Sequence, residues 1–450
     1  MTKINDLRTF IEKLQEKDRV SSIEQEVDWD VELGSVLATL ERSGGKAGVF
    51  KKVKGSKFAA AGGLLSSMQN VAVALDCPVS DITRFIEDRL TKPIEPVVVT
   101  EAPCQENVLL GEDINLFDLP IPRHAPGDGG RFITGGVIFS KGREADARQN
   151  LSFQRMHIKE KNKAGIMINE WRHLRDFMEE AQAEGEKLPI SVVCGADPVV
   201  YIGAGLRSDL DEIALAGALR GEAITVVKSV TNDIMVPATA EFVIEGIIDP
   251  EQLELEGPLG EFTGHYSEPW NSPVFHVTAI THRDDAIFQT INGGSFEHIN
   301  LGNSLPREPL LHHFTSYVSS GVTDVHIPAY GSGFLAIVQL KKKNPGEPKN
   351  VALAAMMTYV NIKNVIVVDE DVDIYNASDV MWALSTRVKS EEDIFFVPNS
   401  QGHELDPSSN ERGVQTKMGI DATRNEESRW HERVIYPEVD LSTYLNQDND

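Results

Sequence analysis

The spacing of apolar residues changes period twice along this chain, and that change limits the fold more than any other feature. Leu7, Phe10, Ile11 and Leu14 recur at three- and four-residue intervals, which lines one face of a helix over 7–15. A second helix is expected over 31–40, with Asp30 as its N-cap and Ser43-Gly44-Gly45 as its end. Short extended runs such as 47–53 follow, so residues 1–108 read as a small N-terminal α/β domain. Leu119-Pro120-Ile121-Pro122 and Pro126-Gly127-Asp128-Gly129-Gly130 then break any regular element and mark a boundary. Beyond it the runs are short and β-branched, over 136–139, 190–194, 224–230 and 274–280, with helices expected over 172–184 and 210–219. This predicts a β-rich, barrel-like domain over 109–304. After Leu305-Pro306 helix and strand alternate again: helix over 309–319, strand over 334–340, helix over 351–359, strand over 364–369. The run Val365-Ile366-Val367-Val368 is of the kind buried on both faces of a parallel sheet, so residues 305–450 form a third, α/β domain with a frayed polar tail. The fold class is α+β and multidomain, a barrel-like centre flanked by α/β domains.

Charge narrows the partners. Lys and Arg number 43 against 69 Asp and Glu, a formal net charge of −26, and no basic block is long enough to track phosphates, so nucleic acid is not an expected partner. An anionic ligand would need a local positive site. Three cysteines, Cys77, Cys104 and Cys194, with no CxxC pair indicate neither a disulfide scaffold nor a cysteine zinc site, and fit a reducing, cytoplasmic setting. Nowhere do eighteen apolar residues run together, so neither signal peptide nor membrane span is expected.

The most informative segment is EGPLGEFTGHY, in which Glu256 and Glu261 flank Gly257, Pro258 and Gly260. Two carboxylates across such a turn can face one cavity, where burial and mutual repulsion raise one pKa and make a general acid near neutral pH. A solvated acidic loop would read the same way. A second segment, NLSFQR followed by WRH, carries Asn150, Arg155 and His173. Arg155 can bind a carboxylate bidentately or hold a glutamate ionised, and Asn with His can ligate a divalent ion if a carboxylate joins them; each is also an ordinary structural hydrogen-bonder. In SDLDEIALAGALRG, Asp209, Asp211 and Glu212 stand at a helix start, where acids also simply favour the helix dipole.

Together these residues resemble the UbiD decarboxylase family. The resemblance rests on Asn150 and Arg155, His173, Glu212 before AxAG, and EGPxGE with Glu256 and Glu261. It continues through Val226-Val227-Lys228, Asn232-Asp233, Val236-Pro237-Ala238, WALSTR at 382–387 and KMGIDAT at 417–423. The first 108 residues contribute no such motif. The resemblance implies a split-barrel-like central domain that binds prenylated FMN and a C-terminal domain that makes a homodimer or higher homo-oligomer. It implies that Asn150, His173 and Glu212 hold Mn2+ or Mg2+, with K+ a further candidate, against the flavin phosphate. Phe153, Gln154, Arg155 and Arg172 then line the cofactor site. It assigns Arg155, Glu256 and Glu261 as the catalytic set, with Glu261 the proton donor and Arg155 pairing Glu256. The implied reaction is reversible, non-oxidative loss of CO2 through a covalent adduct with the cofactor, which a flavin prenyltransferase must supply. Some relatives place a lysine against the flavin phosphate where this chain has Met357, and KMGIDAT has no assigned chemistry.

The resemblance leaves the substrate open among acrylic, phenolic and heteroaromatic acids. Ile291 to His298 falls where a pocket wall is expected, and His298 and Arg307 can meet a ring heteroatom, hydroxyl or second carboxylate, or can merely anchor a loop. A physiological carboxylase, or a flavin-binding subunit without its own catalysis, stays as the alternative.

Overall fold

The computed structural model describes residues 3–142, 148–169, 173–206, 210–410 and 412–425, with a few positions of the tail from 433 on. Its first helix, Leu7–Glu16, buries Leu7, Phe10, Ile11 and Leu14 as the spacing requires, and Asp6 caps it by accepting from the Thr9 amide. The second, Glu32–Arg42, departs from expectation at its start. Asp30 does not cap it; its carboxylate takes the Arg123 guanidinium at 2.5 Å. Val31 stands at the cap with φ 70°, a costly angle for a β-branched residue, where its amide donates to the Arg123 carbonyl at 2.7 Å. The N-terminal sheet runs Val20–Ile23, Ala47–Phe50, Ala59–Gly62 and then Ile287–Gln289, a strand from far down the chain.

The central sheet has nine strands, all antiparallel. Its path is Phe132–Ile133, Met156–Glu160, Lys163–Ile166, Trp270–His282, Phe242–Glu256, Leu188–Cys194, Gly136–Lys141, Gln149–Phe153, with Asn107–Leu110 beside Trp270–His282. Two links reveal its shape. Phe132–Ile133 at one end passes to Gly136–Lys141 near the other through Thr134 and Gly135, and Gln149–Phe153 at that other end passes back to Met156–Glu160 through Gln154 and Arg155. Two residues bridge at most about 11 Å between flanking Cα atoms. The sheet is therefore curled until its ends face each other across a seam, although no pairing closes it among the described residues. Tyr201, fully buried in Pro198–Gly205, pins the seam: its hydroxyl donates to the Gly135 carbonyl at 2.8 Å and accepts from the Gly195 amide at 2.9 Å.

Helices His173–Ala183 and Glu212–Arg220 fall where the sequence places them. The chain then leaves the centre through one rod, Phe296–Ile299, the π-helical turn Asn300–Ser304 and Leu305–Val318. The helix expected from 309 thus begins earlier, because Pro306 falls in its first turn, where a missing amide hydrogen costs nothing. The C-terminal sheet orders Val322–His326, Leu335–Leu340, Asn364–Val368, Val414–Ala422 and Ile394–Gln401, its three middle strands parallel. Val365, Val367 and Val368 are fully buried there, as a two-faced strand requires. Lys417 of KMGIDAT lies buried in this sheet and donates to the Met356 carbonyl at 2.8 Å, so the segment serves to cap the helix Glu347–Thr358.

Candidate active site

Arg155 stands in the seam, and the end of the long strand Phe242–Glu256 delivers its partner. Glu256 is fully buried and grips the guanidinium bidentately, Nε to Oε1 at 2.9 Å and Nη2 to Oε2 at 2.7 Å. Nη1 donates to the Ser267 hydroxyl at 2.8 Å and also to the Glu261 carboxylate. The resemblance pairs Arg155 with Glu256; that pair is present, and the guanidinium also reaches Glu261. One nearly buried cation thus serves a fully buried carboxylate, Glu256, and a partly buried one, Glu261, and desolvation pushes both carboxyl groups up from the ordinary range while Arg155 pulls each back. The two differ in their remaining neighbours. Lys159 further lowers Glu256, whereas the charge of Glu256 further raises Glu261.

The loop between them is held by the segment read from sequence as a boundary. Gly129 donates to the Pro258 carbonyl at 2.8 Å, and Asp128 accepts from the Gly260 amide at 3.1 Å and from Ala125 at 2.8 Å. A Cβ on Gly129 would meet the Gly257 carbonyl oxygen at 2.3 Å, and one on Gly127 the Tyr266 ring at 2.4 Å, so PGDGG fits only as written. Ser267 ties the far side, receiving the Leu259 amide at 3.3 Å. Asp128, Ser267, His157 and Lys159 were missed from sequence. The single available cue was the alternation in RMHIK, which sends Arg155, His157 and Lys159 to one face.

On the other side of the seam Asn150 Oδ1 meets His173 Nδ1 at 2.9 Å. Glu212, 4% exposed, accepts a long bond from the Leu151 amide at 3.4 Å and is eased by its own backbone amide, yet burial pushes its carboxyl up to about 8. Among the described residues no three His, Cys, Asp or Glu gather as a metal cage. An amide oxygen, an imidazole and a carboxylate are donor types that a divalent cation accepts. Asp211 is the N-cap of Glu212–Arg220, as the helix-dipole reading has it. Phe153 tilts against Tyr201 at 5.9 Å and Gln154 is buried beside it. Arg172 and Asp209 lie outside the described residues. Met357 is 85% exposed and brings no charge.

His298 and Arg307 sit on the rod leaving the domain. The Gly294 amide donates to His298 Nδ1 at 3.2 Å, which leaves the proton on Nε2, and desolvation pushes the imidazole down to about 4. Its ring faces the edge of Phe262, next to Glu261, at 6.4 Å; Phe334 and His403 of the C-terminal region pack on the same ring at 5.5 and 5.4 Å. Arg307 is 8% exposed over the Tyr359 ring at 4.3 Å, and its Nε has no hydrogen-bond partner among the described residues.

Known proteins share this arrangement of elements. Residues 11–90, 96–296 and 301–422 match the N-terminal, Rift-related and C-terminal domains of 3-octaprenyl-4-hydroxybenzoate carboxy-lyase, UbiD. The UbiD-class enzyme HmfF from Pelotomaculum thermopropionicum, solved with FMN, is 33% identical over 98% of this chain and 100% of its own, with a TM-score of 0.92. Klebsiella pneumoniae 3,4-dihydroxybenzoic acid decarboxylase is 31% identical over 98% and 99%, also with a TM-score of 0.92. The open form of Sedimentibacter hydroxybenzoicus vanillic acid decarboxylase is 31% identical over 99% and 97%, with a TM-score of 0.88. The chain belongs to the UbiD family of carboxy-lyases.

Proposed function

We propose that this chain decarboxylates an aromatic, heteroaromatic or α,β-unsaturated carboxylic acid with prenylated FMN, using Arg155, Glu256 and Glu261. The observation that carries the reading is one guanidinium held between a fully buried carboxylate and a partly buried one. When bound, prenylated FMN supplies the electron sink that no side chain offers to the carbon losing CO2. The flavin cofactor is supported by relatives solved with FMN and with prFMN. Asn150, His173 and Glu212 would hold Mn2+ or Mg2+ against its phosphate, the cation supplying the charge that Glu212 lacks.

Arg155 orients the substrate carboxylate through the Nη1 edge that it shares with Glu261, while Glu256 stays ionised on the opposite edge. Glu261, released from Arg155, carries its proton to the ring or vinyl carbon from which CO2 departs. The cage formed by PGDGG and Ser267 keeps the loop in place during that transfer. Arg307 and the Nε2–H of His298 face a second polar group, so a phenolic or heteroaromatic acid fits better than a purely apolar one. The curled central sheet is read as a split barrel around the cofactor, and the protein as a cytoplasmic homo-oligomer; a dimeric form of HmfF supports self-association. No helix among the described residues is long and apolar enough to cross a membrane.

The test is absorption and mass measurement of protein made with and without a flavin prenyltransferase, then a screen of aromatic acids for CO2 release. Prenylated flavin in the first preparation with release from phenolic or furan-type acids is expected. Release of equal rate from flavin-free protein would contradict it.

A further inference from the structure

His157 and Lys159 leave the strand Met156–Glu160 on the face where Arg155, just before it, also stands, and that face meets Glu256. Lys159 Nζ lies 2.9 Å from His157 Nδ1, and the amide of Gly257, directly after Glu256, donates to the same nitrogen at 3.3 Å. His157 is buried and stacked on Phe132 at 4.3 Å, and desolvation pushes its ring down to about 4. It is therefore the neutral tautomer whose Nδ1 lone pair receives both donors. Gly165 shows how near the lysine comes to the glutamate. A Cβ there would lie 3.5 Å from Glu256 Cβ and 3.7 Å from Lys159 Cε, so both stems reach over one residue that has no side chain.

The charged groups around Glu256 are few. Lys159 faces it from the strand Met156–Glu160 and Arg155 from the link just before that strand, Glu261 from beyond the loop, and Glu254 from its own strand, the last neutralised by Lys163 at 2.9 Å. Lys159 makes no ion pair with a carboxylate among the described residues, so its charge is available to the site as a whole.

We propose that Lys159 is a positioning residue for the catalytic set: through His157 it holds the Gly257 backbone, and by its charge it keeps Glu256 ionised while Arg155 is shared with Glu261. This rests on the reading above, in which Glu256 acts as the carboxylate. Removing the charge disfavours ionised Glu256, so its titration moves to higher pH, and the acid limb of the pH–rate profile moves with it. The alkaline limb, set by loss of the Glu261 proton, stays.

The experiment is an infrared titration of protonated carboxyl groups in flavin-free protein, with the Glu256 band assigned by its disappearance in Glu256→Gln. Lys159→Gln keeps a donor toward His157 without the charge; Lys159→Met removes both; Lys159→Arg restores charge. The Glu256 midpoint should rise by about half a pH unit or more in the Gln and Met variants and return in the Arg variant. Should Lys159→Met fold poorly by circular dichroism, Lys159→Gln against Lys159→Arg gives the same comparison. An unchanged midpoint in the folded charge-free variants overturns the proposal whatever their activity. Full activity of Glu256→Gln would overturn the underlying reading instead.

Discussion

Two buried arginines of this chain live in opposite circumstances. Arg155 has more carboxylate than it can neutralise, while Arg307 is as deeply buried and its Nε has no acceptor among the described residues. Burying a charge is costly unless it is paired, so the first arrangement is self-supporting and the second is held open at the fold's expense. The carboxylates repeat the contrast: Glu256 has a guanidinium and Glu212 has none. In the function proposed above, the saturated groups are those assigned to the reacting centre and the unsaturated ones those assigned to bound cation and substrate.

That contrast can be broken at its strongest point first. Arg155→Met leaves Glu256 and Glu261 buried without their cation and should cost about 3–5 kcal/mol of stability as well as turnover. Denaturant unfolding beside a CO2 assay checks both, and a loss of activity with parental stability would show that the carboxylates find another partner.

Glu212 comes next. Its folded pKa is raised, so in metal-free protein the group favours the folded state below about 4.5 and loses that favour as pH rises toward about 8. Glu212→Gln should flatten this part of the thermal-stability profile against the parent, and should also abolish retention of manganese and flavin. Full retention of both would sink the metal assignment.

Much of the site was legible because its residue types carry chemistry. EGPLGE and NLSFQR announce a carboxylate pair and an arginine, and the apolar spacing gave Leu7–Glu16 and the buried strand Asn364–Val368. What stayed hidden depends on contacts with no spacing signal. PGDGG looks like any loop until Gly129 meets Pro258, and Asp30 looks like a cap until Arg123, ninety-three residues on, takes its carboxylate. Ile287–Gln289 is too short to reveal that it pairs with Ala59–Gly62. Nor does any local pattern show that the central sheet curls; only the strand order and the two-residue links do.

A smaller effect separates Arg307 from Arg155. Arg307→Leu deprives no buried carboxylate of its counterion, so stability should stay level or rise, while KM for acids with a second polar group should increase on the order of 10–100-fold. Acids lacking that group should be unaffected. Loss of stability comparable to that of Arg155→Met would erase the distinction drawn between the two arginines.

The central claim is that Glu261, raised by burial and by the charge of Glu256, delivers the proton that replaces CO2. Glu261→Gln keeps the shape and removes the proton. Its most direct test is solvent deuterium exchange into the product carbon that had borne CO2, at matched flavin occupancy. The account predicts a rate lower by at least about two to three orders of magnitude. Exchange as fast as in the parent would contradict it and move the role to Glu256 or a bound water.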